Sequence, residues 1–216
     1  MTPFPVILSS PSGGGKTTIA RALLAQRRDV GYSVSCTTRQ PRHGEVDGVD
    51  YFFLTDDEFE LSASRGEFAE WAVVHGQRYG TLKREVERVL SSGKHVIMDI
   101  DVQGARQLAS AFPSSALVFL LPPSADVLVE RLRNRRSEGS EGLIRRLKTA
   151  VEELKAVSMY HYMVTNDRLD VAVARVSSII DAEAVSRERS DPSAEADVGA
   201  LIEQLQIEIR KQQEME

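Results

Sequence analysis

Val6-Ile7-Leu8-Ser9-Ser10-Pro11-Ser12-Gly13-Gly14-Gly15-Lys16-Thr17 decides the fold. Four residues of buried-strand character run straight into a glycine cluster. From Thr17 to Arg27 the pattern turns helical, with Ile19, Leu23 and Leu24 on one face. The segment from Ser10 matches G-x-x-x-x-G-K-[ST] except at its first position, where Ser10 replaces glycine. Glycines let the backbone wrap and aim its N–H groups inward at a phosphate, and the following helix offers its positive end to the same anion. Lys16 adds a mobile positive charge, and the Thr17 hydroxyl is a ligand for Mg²⁺. The bland alternative is a glycine-rich turn that only joins strand to helix. A buried strand before it and a helix after it favour a nucleotide triphosphate site.

Outward from this loop, short apolar runs alternate with helical patterns, as in βαβ units. A helix is predicted at about 82–92, followed by strands at His95-Val96-Ile97-Met98-Asp99, Leu117 to Leu121 and Tyr162-Met163-Val164-Thr165. A helix from Ser124, a long helical pattern to about 160 and another over 169–188 complete the series. Between Val34 and Thr81 the pattern changes to short β-like pieces (Tyr51 to Leu54, Phe68 to Val74) separated by turns. Thr55-Asp56-Asp57-Glu58 there reads as a capping box that opens a short helix. The predicted organisation is a core of residues 1–34, 82–130 and 158–190, an inserted subdomain at 35–81, and a lid at 131–157. Residues 191–216 read as a C-terminal amphipathic helix striped by Val198, Leu201, Ile202, Leu205 and Ile209. That stripe either packs on the chain's own core or joins two copies in a homo-oligomer.

The 216 residues suffice for one α/β domain with small inserts. Apolar residues at 42% and charged residues at 27% exclude a wholly disordered chain. A net charge of −5 argues against broad nucleic-acid binding. No apolar run approaches the roughly 18 residues that span a bilayer. The N-terminal Met1-Thr2-Pro3-Phe4-Pro5 lacks the basic start of a signal peptide, and the lone Cys36 forms no internal disulfide; both suit a cytoplasmic location.

Two further clusters carry chemistry. Residues 131–148 hold seven basic against two acidic side chains, interrupted by Ser137-Glu138-Gly139-Ser140-Glu141-Gly142. Its bland reading is a solvated helix face; above a phosphate cradle, a mobile arginine-bearing loop supplies positive charge and excludes water. In the inserted subdomain, Arg39 and Arg42 stand three apart near Tyr51 and suit a second phosphate. Asp99, ending an apolar strand, has the place of a metal-site aspartate, or caps a helix.

Taken together, these segments resemble guanylate kinase along nearly all of residues 5–190. The matching runs are Ser12-Gly13-Gly14-Gly15-Lys16-Thr17, Ser33 to Arg42, Gly44-Glu45-Val46-Asp47-Gly48 and Asp50-Tyr51-Phe52-Phe53. Phe68-Ala69-Glu70-Trp71-Ala72, Tyr79-Gly80-Thr81, Asp99 to Gly104 and Val164-Thr165-Asn166-Asp167 continue them in order. The resemblance implies an α/β fold: a P-loop parallel sheet flanked by helices, an inserted mixed α/β GMP-binding subdomain and a small helical lid. It implies an ATP:GMP phosphotransferase of purine nucleotide metabolism and GMP recycling that uses Mg²⁺, with dGMP as a second acceptor. ATP would contact Pro11, Ser12, Gly13, Gly14, Gly15, Lys16, Thr17 and Thr18, with Asn166 by the adenine. Arg39, Arg42, Tyr51 and Tyr79 would hold the GMP phosphate, with Glu45 nearby. Ser35, Glu70, Thr81 and Asp101 would read the base. Asp99 would sit near GMP, metal and phosphates, sharing the metal with Thr17. Lys16, Arg39, Arg131, Arg135 and Arg146 would act in catalysis.

The residue types suit guanine independently. Its N1 and N2 are donors that one carboxylate accepts together, and its O6 takes a hydroxyl donor. Departures from the family pattern are Ser10, Asn134-Arg135-Arg136, Glu141-Gly142, Arg78 and Asn166-Asp167-Arg168. The rival readings are a non-catalytic scaffold module that binds phosphorylated peptides, a kinase of another phosphorylated acceptor, and a GTPase.

Overall fold

The computed structural model describes residues 2–74, 76–133 and 140–189. Its main sheet is parallel and five-stranded. β1 (Pro5–Ser9) lies in its middle. β7 (His95–Asp99) and then β2 (Val30–Tyr32) lie on one side, and β8 (Ala116–Leu121) and β9 (Tyr162–Thr165) on the other. β1 is buried along its whole length, because helices cover both faces. Side chains alternate accordingly. Val6 and Leu8 join Ile97, Val118 and Leu120 in one cluster, under α1 (Lys16–Gln26) and α7 (Leu169–Arg189). Ile7 joins Val96, Met98, Leu117 and Phe119 in the other, under α3 (Lys83–Ser91) and α4 (Val102–Ala111).

A smaller four-stranded sheet lies between β2 and α3 in the chain. It comprises β3 (Cys36–Thr37), β4 (Phe52–Phe53), β5 (Phe68–Val74) and β6 (Gln77–Leu82), in the order β4-β3-β6-β5. Only β3 and β4 pair in parallel. Cys36, Phe59, Phe68 and Leu82 form its separate core. The sheet is tied to the main body through α4: the Trp71 N–H donates to Gln107 Oε1 at 3.1 Å, and Gln107 Nε2 donates to the Trp71 carbonyl at 3.0 Å. The helices α5 (Ala125–Arg133) and α6 (Ser140–Lys155) pack on each other through Leu128, Leu132 and Ala150. A 3₁₀ turn, Ala156–Met159, leads into β9.

α2 (Asp56–Ser64) starts at the anticipated capping box. Thr55 Oγ1 accepts from the Glu58 N–H at 3.2 Å, and Glu58 Oε2 accepts from the Thr55 N–H at 2.8 Å. Thr55→Ala removes half of that reciprocal pair. It is expected to cost about 1 kcal/mol and to lower the melting temperature by about 2–4 °C, as read by thermal unfolding. The predicted lid residues Asn134 to Gly139, Arg135 among them, lie outside the described residues. So does the predicted helix at 191–216.

Candidate active site

Four chain segments converge at the carboxyl ends of the parallel strands. The glycine loop follows β1, Asp99 ends β7, Tyr32 ends β2 and Asn166 follows β9. The chain leaves β1 towards β2 on one side and later crosses to β8 on the other. The loop therefore occupies the switch point where open α/β sheets bind ligands.

The loop has the conformation its glycines allow. Gly13 and Gly15 take φ of 85° and 94°, a region that side chains strain to enter, and Gly15 opens α1. The Gly14 N–H donates to the Pro11 carbonyl at 2.8 Å. Ser10 is fully buried behind the loop and donates to the Pro11 carbonyl at 2.9 Å, so its hydroxyl is satisfied where glycine is usual. Lys16 Nζ donates to the Ser10 carbonyl at 2.9 Å. Thr17 and Thr18, on the first turn of α1, face solvent.

Two long-range contacts hold the loop in place. Asn166 is buried, and its Nδ2 donates to the Gly14 carbonyl at 2.8 Å. Arg131 Nη2 in turn donates to the Asn166 carbonyl at 3.2 Å, which places this arginine of α5 beside the loop. From α6, Glu153 Oε2 accepts from the Ser12 N–H at 3.3 Å; burial pushes its carboxyl up, and nearby Lys16 pulls it down. Arg146 is half-buried on the same helix.

Asp99 is the junction of the site. Its Oδ2 accepts from Thr17 Oγ1 at 2.5 Å and its Oδ1 from the Tyr32 hydroxyl at 2.8 Å. Hydroxyl and carboxylate oxygens are the hard donors that Mg²⁺ takes, and Mg²⁺ completes its shell with waters and substrate phosphates. Thr17 and Asp99 therefore fit this ion. No cluster of three or more His, Cys, Asp or Glu forms another metal site among the described residues.

The smaller sheet and its connecting loops carry two further groups. In the first, Arg39 makes a bidentate pair with Glu45 at 2.8 and 2.9 Å, and Glu45 also accepts from the Arg42 N–H at 2.7 Å. The guanidinium lies 5.3 Å from the Tyr51 ring centre, and the Tyr51 and Tyr79 rings meet edge-on at 6.0 Å. The Arg39 guanidinium and the Arg42 N–H hold the Glu45 carboxyl down at about 2. Burial, then the charge of Asp99, raises the Tyr51 phenol.

The second group is built around Glu70. β5 and β6 place Glu70 opposite Thr81, whose Oγ1 donates to Glu70 Oε1 at 2.6 Å. Glu70 is 6% exposed, and burial pushes its carboxyl up to about 7, with the charge of Asp101 adding to the rise. The facing N-terminus of α4 leaves room for it at Gly104. A Cβ there would meet Glu70 Oε2 at 2.6 Å. Asp101 caps α4, accepting from the Gly104 N–H at 2.8 Å. Ser35 is half-buried on the approach to β3. Tyr32, Gly104 and Glu153 are the site neighbours that sequence reading does not single out. Their partners lie far off in the chain, and only Gly104, beside Asp101, stood within a motif.

Comparison with known proteins agrees with this architecture. The guanylate kinase family model matches residues 2–183. A guanylate kinase of Caldanaerobacter subterraneus subsp. tengcongensis is 45% identical over 178 residues, 82% of this chain and 86% of that protein. One of Maricaulis maris is 46% identical over 198 residues, 91% of this chain and 90% of that protein. The crystal structure of guanylate kinase from Anaplasma phagocytophilum aligns with a TM-score of 0.68 at 33% identity, over 84% of this chain and 86% of that one. With a model match over most of its length and relatives this similar, the chain belongs to the guanylate kinase family.

Proposed function

We propose that the cleft between the two sheets performs the family's reaction, ATP-dependent phosphorylation of GMP to GDP, with the following division of labour. The observation that carries the acceptor assignment is the buried Glu70 carboxylate, held on one oxygen by Thr81 and set with the other against Gly104 at the start of α4. Glu70 accepts the guanine N1 and N2 donors, and Ser35, Thr81 and Asp101 complete the base site. Arg39, Arg42, Tyr51 and Tyr79 hold the GMP phosphate, and Glu45 keeps the two arginines in register. These groups address base and phosphate, so dGMP is a second acceptor.

On the donor side, the loop from Pro11 to Thr18 holds the ATP phosphates through the N–H groups that follow Pro11 and through Lys16, and Asn166 braces the loop next to the adenine. Thr17 and Asp99 hold Mg²⁺, which supplies charge neutralisation on the phosphate oxygens. Arg131, Arg135 and Arg146 close over the transferring group. An oxygen of the GMP phosphate attacks the γ-phosphorus as the bond to ADP breaks. That phosphate has a second pKa of about 6 and is largely ionised at neutral pH, so no side chain need remove a proton. Positioning and electrostatics carry the rate. No helix among the described residues is long and apolar enough to cross a membrane. The buried free thiol of Cys36 suits a reducing cytoplasm.

The test is a coupled ADP-release assay with MgATP and GMP, dGMP, AMP, CMP or UMP. ADP release with GMP and dGMP alone is expected. Release led by AMP or a pyrimidine nucleotide overturns the base site, and silence with every acceptor overturns the kinase reading.

A further inference from the structure

Asp99 is held from two sides, and only one of its partners belongs to the phosphate loop. The second is Tyr32, at the end of edge strand β2, which runs beside β7 with Tyr32 in register with Ile97. The Tyr32 hydroxyl donates to Asp99 Oδ1 at 2.8 Å, and Thr17 Oγ1 donates to Oδ2 at 2.5 Å. A carboxylate at a strand end can otherwise turn about its side-chain bonds and exchange its two oxygens. Here a donor on each oxygen removes that freedom.

We propose that Tyr32 is a positioning residue for the Mg²⁺ site, its hydroxyl pinning Asp99 Oδ1 so that Oδ2 faces the Thr17 hydroxyl. This rests on the reading of Thr17 and Asp99 as the metal-holding pair. Carboxylates that ligate metals are commonly oriented by such outer hydrogen bonds. A phenol suits the task better than a lysine or arginine would, because a neutral donor leaves the carboxylate its full charge for a cation. Three residues on, the chain reaches Ser35 and enters the acceptor sheet, so one strand end touches the metal carboxylate and leads into the GMP site.

Tyr32→Phe keeps the ring and deletes the hydroxyl. Binding of Mn²⁺ to the full-length protein with ADP, read by the electron paramagnetic resonance of free Mn²⁺, is expected to weaken by about tenfold. The Mg²⁺ concentration for half-maximal activity should rise by a similar factor, with the KM for GMP unchanged. The measurement is made in the cold, on protein whose fold is verified by circular dichroism. Asp99→Asn is measured in parallel. If Asp99→Asn leaves Mn²⁺ affinity unchanged, the metal reading itself fails. If Asp99→Asn weakens Mn²⁺ but Tyr32→Phe shifts it by less than about twofold, the metal reading stands and the role of Tyr32 is overturned. A Tyr32→Phe variant that loses only thermal stability or kcat, with Mn²⁺ affinity and Mg²⁺ dependence intact, overturns it as well.

Discussion

Lys16→Ala is expected to lower kcat for transfer from ATP to GMP by about 10³-fold while leaving GMP binding measurable. The reason lies in where charge develops. The migrating phosphoryl group spreads negative charge over its oxygens, and a donor held in a water-poor cleft is worth far more there than in bulk water. Losing one such donor typically costs about 10²–10³-fold, and losing a whole cation on a transferring phosphoryl group costs about 10³–10⁵-fold. Lys16 is the first residue of α1 after its Gly15 cap, and its ammonium donates to the Ser10 carbonyl, a contact on the loop's own backbone. Its stem therefore reaches across the loop proposed to hold the donor phosphates. Steady-state kinetics with saturating MgATP, together with equilibrium dialysis of GMP, separate the two effects. Unchanged turnover would sink the loop's assignment, and lost GMP binding would mean that Lys16 supports the acceptor sheet instead.

What could be read along the chain was local. β5, β7 and β9 begin and end where the apolar runs predict, and the capping box at Thr55 opens α2. The glycine loop was legible because its function imposes a backbone shape on consecutive residues. β3, β6 and α4 are less visible. β3 has two residues, and β6 carries Tyr79 and Thr81 with little apolar alternation to mark it. α4 does show Val102, Ala105 and Leu108 at helical spacing behind its capping Asp101, a signal obscured by the polar residues between them. The site's residue list came from motif positions, whereas its wiring did not. Tyr32 meets Asp99 across 67 residues, Glu153 meets Ser12 across 141, and Asn166 meets Gly14 across 152. Such contacts are set by the order of strands in the sheet, which a one-dimensional pattern does not contain.

Glu70→Gln is expected to reduce kcat/KM for GMP by about 10²–10³-fold, with the KM for ATP little changed. A site built on hydrogen bonds rejects a mismatched partner strongly, because the mismatch strands buried polar groups. Glutamine keeps one acceptor but turns an N–H₂ group towards guanine donors, so donor faces donor. The same substitution has an opposite effect on the empty protein. Burial holds the Glu70 carboxyl up at about 7, against an ordinary value of 4.5. The unfolded chain therefore sheds this proton near pH 4.5 while the folded protein keeps it to about 7. Glu70 thus favours folding below that window, and the contribution is lost as pH rises through it. At pH 8 the neutral glutamine avoids a buried charge, so Glu70→Gln should melt a few degrees above the parent, an advantage that shrinks towards pH 5. In the proposed base site guanine binding needs the carboxylate, so the parent's KM for GMP should fall as pH rises towards 7 and then level off. Ionisation of the GMP phosphate, with its second pKa of about 6, adds a slope of the same sign. Only the slope due to Glu70 should vanish in Glu70→Gln, so comparing the two pH profiles isolates it. Parallel profiles, or equal losses for GMP and ATP, would remove Glu70 from the base site.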